Sequence, residues 1–212
     1  MSIASLFKSV FSSSSDGVET PPGITVGDNQ SNVPPVRMKG WNMPDPMDHL
    51  SRHFRFREMI HSNTANRLGI DNTPGKIQIV RFEDLCMNVL EPIRQHFGSP
   101  ITITSGYRSL ELNRAIGSHD NSQHVKGEAA DFKINGYSLS DAFEWIVVES
   151  DIDFDQIIYE FGEQGWIHIS HTNRRDNRNQ ALCAYKNSRN NTRYEQLTVR
   201  QVKTRAYQKN YR

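Results

Sequence analysis

Cysteine is nearly missing from this chain. Only Cys86 and Cys183 occur among 212 residues, too few for a disulfide framework and without metal-ligand spacing, so both read as reduced, packed thiols. Long apolar runs are missing as well. No stretch approaches the ~18 apolar residues that cross a bilayer, and a mean hydropathy of -0.66 points to a soluble chain. The start, Met1 to Phe11, is interrupted by Ser and Lys and followed by Ser12 to Ser15. It lacks the uninterrupted apolar core of an export signal, so none is expected here. Hydrophobic residues make up only 36%, so part of the chain is expected to stay outside the core.

Periodic burial is absent from residues 1–44, where Pro21-Pro22-Gly23, Pro34-Pro35 and Met43-Pro44 break any repeat. This segment reads as a disordered tether. Its short amphipathic start, Ile3 to Phe11, suits either docking on a partner or a frayed end. Acids are scarce at the other end. Residues 172–212 hold eleven Lys/Arg against two acids, leaving fourteen against twenty-two before them, although the formal charge is only +1. Residues 173–212 are therefore expected as a basic C-terminal extension that contacts anionic envelope polymers or nucleic acid, or simply stays solvated. Between the ends, 45–172 reads as one domain.

In that middle part, Ile77, Arg81, Leu85, Val89, Ile93 and Phe97 recur every four residues, widened by Phe82 and Leu90 and stopped by Gly98. One long helix is expected there, with a kink at Pro92. Ile101 to Thr104 is β-branched and reads as a buried strand, followed by a short helix over Leu110 to Ala115 and a polar loop to Gln123. Glu128 to Ile134 is the next strand and Leu139 to Val148 the next helix. Gln156 to Glu160 and Trp166 to His171 form a hairpin around Phe161 to Gly165, and Ala181 to Tyr185 adds an edge strand. The class is α+β with a largely antiparallel sheet.

Strand alternation singles out a group of polar residues. Ala130, Phe132 and Ile134 share one face while Asp131 points to the other; Ile167 and Ile169 oppose Trp166, His168 and Ser170. If the two strands are near each other, Asp131 and His168 converge on the open face, and His124 can arrive from the loop before Asp131. Two imidazoles and one carboxylate suit zinc, and three ligands leave a fourth tetrahedral position for a water. Glu160 is the first choice for a base beside that water, since it ends the strand that pairs with the strand of His168. Glu163, in the turn, is the alternative. Arg108 has the planar fork that orients a carboxylate, or else it forms a structural ion pair. Ser122 touches substrate or caps a turn, and Tyr107 and Trp166 line a cleft or pack.

The run Ser122-x-His124-x-x-Gly127-x-Ala129-x-Asp131 followed by Trp166-x-His168 resembles the signature of the zinc D-alanyl-D-alanine peptidase family. Val89 to Arg94, Ile101 to Ser109, Leu112-Asn113 and Trp166 to Ser170 resemble more closely its subgroup of phage and bacterial cell-wall peptidases. The likeness covers roughly residues 50–172. It implies the fold shared with the hedgehog signalling domain, with His124, Asp131 and His168 as zinc ligands. It implies Arg108 as a substrate contact and peptidoglycan peptides as substrate, while Ser122 stays open between touching substrate, orienting the loop of His124 and capping a turn. Many enzymes of that family carry a Glu three residues before the last His, where this chain has Gly165. The hedgehog domain has a Glu near the end of the preceding strand, and Gln156 to Glu160 is similar to that run. A zinc-holding module without turnover is the second reading that the resemblance allows.

Overall fold

Alternating apolar residues between polar turns produce six strands, and their two faces differ in character from the start. The structure, a computed structural model, describes residues 42–211. The expected tether, including Ile3 to Phe11, lies outside the described residues except for 42–44. The strands are β1 (Ile101–Ser105), β2 (Ala129–Ile134), β3 (Gln156–Glu160), β4 (Trp166–Ser170), β5 (Gln180–Lys186) and β6 (Thr192–Gln196). They form one sheet in the order β1-β2-β4-β3-β5-β6. Every neighbouring pair is antiparallel except β3 and β5, which run parallel. The α+β class and the β3–β4 hairpin are as expected.

Helices α1 (Phe56–Ile60) and α2 (Asn63–Leu68) precede the long helical element. That element is not one regular helix. It runs as α3 (Lys76–Leu85), a π-helical turn over Cys86–Leu90, and α4 (Glu91–Phe97). The backbone N–H of Glu91 bonds to the carbonyl of Cys86, five residues back. Pro92 lacks an N–H and its ring crowds the carbonyl four residues before it, so a widened turn just upstream accommodates it in place of the expected kink. The buried stripe also differs at its start. It begins at Ile79, while Ile77 is exposed, because a strict four-residue spacing drifts by about 40° per step around a helix of 3.6 residues per turn and carries Ile77 off the buried face.

Helices α5 (Leu110–Ala115), α6 (Gln123–Lys126), α7 (Leu139–Val148) and α8 (Val199–Lys203) complete the set, with a final 3-10 segment over Ala206–Tyr211. One sheet face carries Phe132, Ile157, Tyr159, Ile167, Ile169 and Cys183 into a core shared with Phe82, Leu85 and Ile93 of the long element and Phe143 of α7. The other face carries Asp131, His168, Ile158, Glu160, Leu182 and Ala184. Stability is thus concentrated on one side of the sheet, and polar side chains are collected on the other.

The basic segment 173–212 departs from the expected appendage. It supplies β5 and β6, and Leu197, Val202 and Tyr207 are buried in the same core as the central strands. β5 is not an edge, since β6 covers its far side. Part of the charge is neutralised internally: Arg174 pairs with Glu128, Arg175 and Arg178 with Asp155, and Arg205 with Asp141 and Glu144. Among the described residues, no helix is long and apolar enough to cross a membrane. Tyr207 packs edge-on against Phe143 and Tyr159, at 5.6 and 5.1 Å between ring centroids. Tyr207→Ala is predicted to cost about 3–5 kcal/mol in a urea titration, by analogy with other large aromatic truncations. Tyr207→Phe should be close to neutral, because the buried hydroxyl has no hydrogen-bond partner among the described residues. Unchanged stability in Tyr207→Ala would contradict the role of this segment in the core.

Candidate metal centre

Register places the two strand residues. In the antiparallel β2–β4 pair, Asp131 is directly opposite His168, so side chains that alternation sends to the same face become nearest neighbours. His124 reaches them from α6, a single turn opened by Ser122, whose hydroxyl accepts from the backbone N–H of His124 at 3.3 Å. The turn closes at Gly127 in the left-handed region, at φ 74°, where an added Cβ would stand 2.8 Å from the backbone of Gln78. Only glycine meets both demands. Leaving α6 there leads the chain directly into β2.

The three side chains are buried. His168 Nδ1 is 2.9 Å and His124 Nε2 3.2 Å from Asp131 Oδ1, and the two ring nitrogens are 3.2 Å apart. Proton bookkeeping shows what such a cluster needs. His124 Nδ1 lies 2.7 Å from the carbonyl of Gly106, which can only accept, so Nδ1 carries the proton and Nε2 presents a lone pair. Gln123 donates its amide N–H to Asp155 Oδ2 at 2.9 Å, which turns its oxygen toward His168 Nε2 at 3.0 Å. His168 therefore carries its proton on Nε2 and presents Nδ1. With neutral rings, three acceptors meet with no donor between them. An extra proton or a cation must supply the missing positive charge, and the donor set, two imidazole nitrogens and a carboxylate oxygen, fits zinc.

Asp131 is divided between two tasks. Its Oδ1 faces the imidazoles while Oδ2 accepts from Arg108 Nη2 at 2.8 Å, and Arg108 Nε donates to Ser105 Oγ at 3.0 Å. Burial alone would raise the Asp131 carboxyl, yet the facing His124 and His168 outweigh it and hold it well below the usual carboxylate range. Glu160 has the opposite balance. It is on the same face as His168, one strand over and two residues along from Ile158, the cross-strand partner of His168. Burial, aided by Asp131, pushes its carboxyl up to about 7 against the lowering influence of His168 and Arg108.

Glu163 is committed elsewhere. Its carboxylate accepts from the backbone N–H groups of Leu139 and Ser140, at 2.7 and 3.0 Å, and from the Tyr159 hydroxyl at 2.9 Å. Those bonds cap α7 on the helix-bearing side of the sheet and, despite partial burial, lower its carboxyl. Gly165 explains the departure from the resembled signature. An added Cβ would fall on the backbone carbonyl of Glu160, so no Glu can stand at 165 with this turn. Of the other expected contacts, Ser122 caps α6, Tyr107 is buried edge-on against Phe82, and Trp166 packs half-buried against Phe161. Gln123 and Asp155 were not legible as parts of the site. Gln123 is adjacent to His124 in sequence, but its partner Asp155 is 32 residues away.

The sequence model of the Peptidase M15 family matches residues 52–170, more than half of the chain. The chain belongs to the peptidase M15 family. Members are metallopeptidases, and the buried His124, Asp131 and His168 give this M15 chain a group able to hold a metal ion. Among curated proteins, none matches it. The M15 match takes in all three of these residues together with Arg108 and Glu160, and stops at Ser170, before Arg175 and Arg178.

Because the Glu160 carboxyl titrates near 7 when folded and near its ordinary 4.5 when unfolded, the folded state favours the protonated form. Its contribution is fully present below about pH 4.5 and is lost as pH rises through about 7. In the metal-free protein, Glu160→Gln should raise the melting temperature at pH 8, and the difference should close below pH 4.5. A pH-independent difference in thermal melts would contradict this environment for Glu160.

Proposed function

We propose that this M15 chain is a zinc-dependent peptidase that hydrolyses peptide bonds in the stem or cross-link peptides of bacterial peptidoglycan. The observation that carries the reading is the convergence of His124 Nε2, Asp131 Oδ1 and His168 Nδ1 without a proton between them, with Glu160 on the same face. When bound, zinc supplies a Lewis acid and lowers the pKa of a water.

The protein's own groups supply the rest. Glu160 accepts a proton at its carboxylate from the attacking water and returns it to the leaving amine, a role suited to a carboxyl held near neutrality. Arg108 uses two of its five N–H donors on Asp131 and Ser105, and its others orient a substrate carboxylate or carbonyl. Ser122 acts through α6, by holding His124 in place. The likeness to the phage and bacterial cell-wall subgroup supports D-Ala-D-Ala carboxypeptidase or endolysin-like endopeptidase activity, carried out by a protein of the host cytoplasm or a virion. Several arginines of the basic C-terminal region are paired within the molecule, and the likeness to cell-wall peptidases favours attraction of the remaining charge to anionic envelope polymers over nucleic acid.

A wall-binding module that keeps the zinc but has no turnover is the second reading, favoured by Gly165. Mass spectrometry of peptides released from purified sacculi separates the two. The zinc-loaded protein should release new fragments. Glu160→Ala should release none while retaining zinc, and His168→Ala should lose both. Zinc loss to the same extent in both variants would refute the assigned roles, and an inactive wild type with zinc bound would favour the binding module.

A further inference from the structure

Behind His168 stands a polar chain that leads out of the segment shared with the M15 family. Gln123 Oε1 is 3.0 Å from His168 Nε2, and Gln123 Nε2 is 2.9 Å from Asp155 Oδ2. Asp155 is only 2% exposed, yet it is ionised beside Arg178 and Arg175. Arg178 grips it with Nε on Oδ1 at 3.0 Å and Nη2 on Oδ2 at 2.7 Å, and Arg175 Nη1 adds a bond to Oδ1 at 2.7 Å. A buried carboxylate so paired offers acceptors only.

An amide side chain has two ends that differ in chemistry but hardly in shape, so its orientation must be set by its partners. Turning the Gln123 amide over would set its oxygen against Asp155 Oδ2 and its N–H against His168 Nε2. The imidazole would then have to accept at Nε2 and carry its proton on Nδ1, the atom that faces Asp131 and His124. A proton there occupies the lone pair that a metal needs. Asp155 prevents that reversal by accepting at one end of the amide and leaving only the oxygen for the ring.

We propose that Gln123 is a positioning residue of the metal centre: its oxygen holds His168 in the Nε2–H form, and Asp155, clamped by Arg175 and Arg178, keeps the amide from turning over. The proposal rests on the reading of His124, Asp131 and His168 as metal ligands, and it assigns the basic region beyond residue 170 a part in metal binding. Hydrogen-bonded partners of ligating imidazoles fix the tautomer and raise ligand basicity, and removing them typically weakens metal binding by about 10–100-fold.

The test compares wild type with Gln123→Leu and Asp155→Asn, using zinc affinity from competition with a chromophoric chelator and the visible absorption of the cobalt(II)-substituted proteins. Gln123→Leu should bind zinc about 10–100-fold more weakly and show altered cobalt bands, with the metal-free protein still melting cooperatively. Asp155→Asn should shift both readouts in the same direction. Should Asp155→Asn fail to fold, Gln123→Leu decides alone, because Gln123 is half-buried on a turn capped independently by Ser122 and Gly127. Wild-type affinity and an unchanged cobalt spectrum in Gln123→Leu would overturn the proposal while leaving the metal reading intact. A wild type that binds neither ion would overturn the metal reading, and this proposal with it.

Discussion

One buried carboxylate organises the chemistry of this molecule. Asp131 faces His124 and His168 with one oxygen and Arg108 with the other, and each contact constrains a different part of the chain. The pairing of β2 with β4 brings His168 opposite it, α6 brings His124 over it, and the corner after β1 brings Arg108 beneath its second oxygen. An unpaired carboxylate at this depth would be strongly disfavoured. The Arg108 guanidinium and the two imidazoles make its charge tolerable, and in doing so they gather the groups that a hydrolytic centre requires.

The sheet separates this polar assembly from the packing that supports it. Glu160 and Glu163 are three residues apart and have opposite fates. Glu160 ends β3 on the open face, where burial near another carboxylate raises its proton affinity. Glu163 has turned through the Gly162–Gln164 segment to the helical face, where backbone donors at the start of α7 stabilise its charge. Gly165 is the geometric condition for this division, since any side chain there would collide with the carbonyl of Glu160. A Glu at 165 and the present turn are mutually exclusive, which leaves Glu160 as the carboxylate closest to the polar cluster from this hairpin.

Much of this arrangement was legible in the sequence because it depends on the period of two in β2 and β4. Asp131 and His168 fall between apolar neighbours, and one register then brings them together. The hairpin was equally plain from its glycine-rich turn. What was hidden is nonlocal. The parallel pairing of β5 with β3 has no turn signal, and Leu197, Val202 and Tyr207 are dispersed among charges without a continuous apolar repeat, so the basic region looked like an appendage. The π-helical turn accommodates Pro92, but the four-residue apolar repeat runs through Cys86–Leu90 without a break that would signal it. Ile77 satisfied the four-residue repeat and nevertheless faces solvent. The contact from Gln123 to Asp155 could not be read locally at all, since nothing near either residue indicates the other.

Crystallography of the zinc-loaded protein, with anomalous difference maps on both sides of the zinc absorption edge, tests the central claim most directly. The account predicts one zinc peak at about 2.0–2.2 Å from His124 Nε2, Asp131 Oδ1 and His168 Nδ1. A zinc peak bound through His168 Nε2, a peak elsewhere with these three residues unligated, or no peak at all would contradict it.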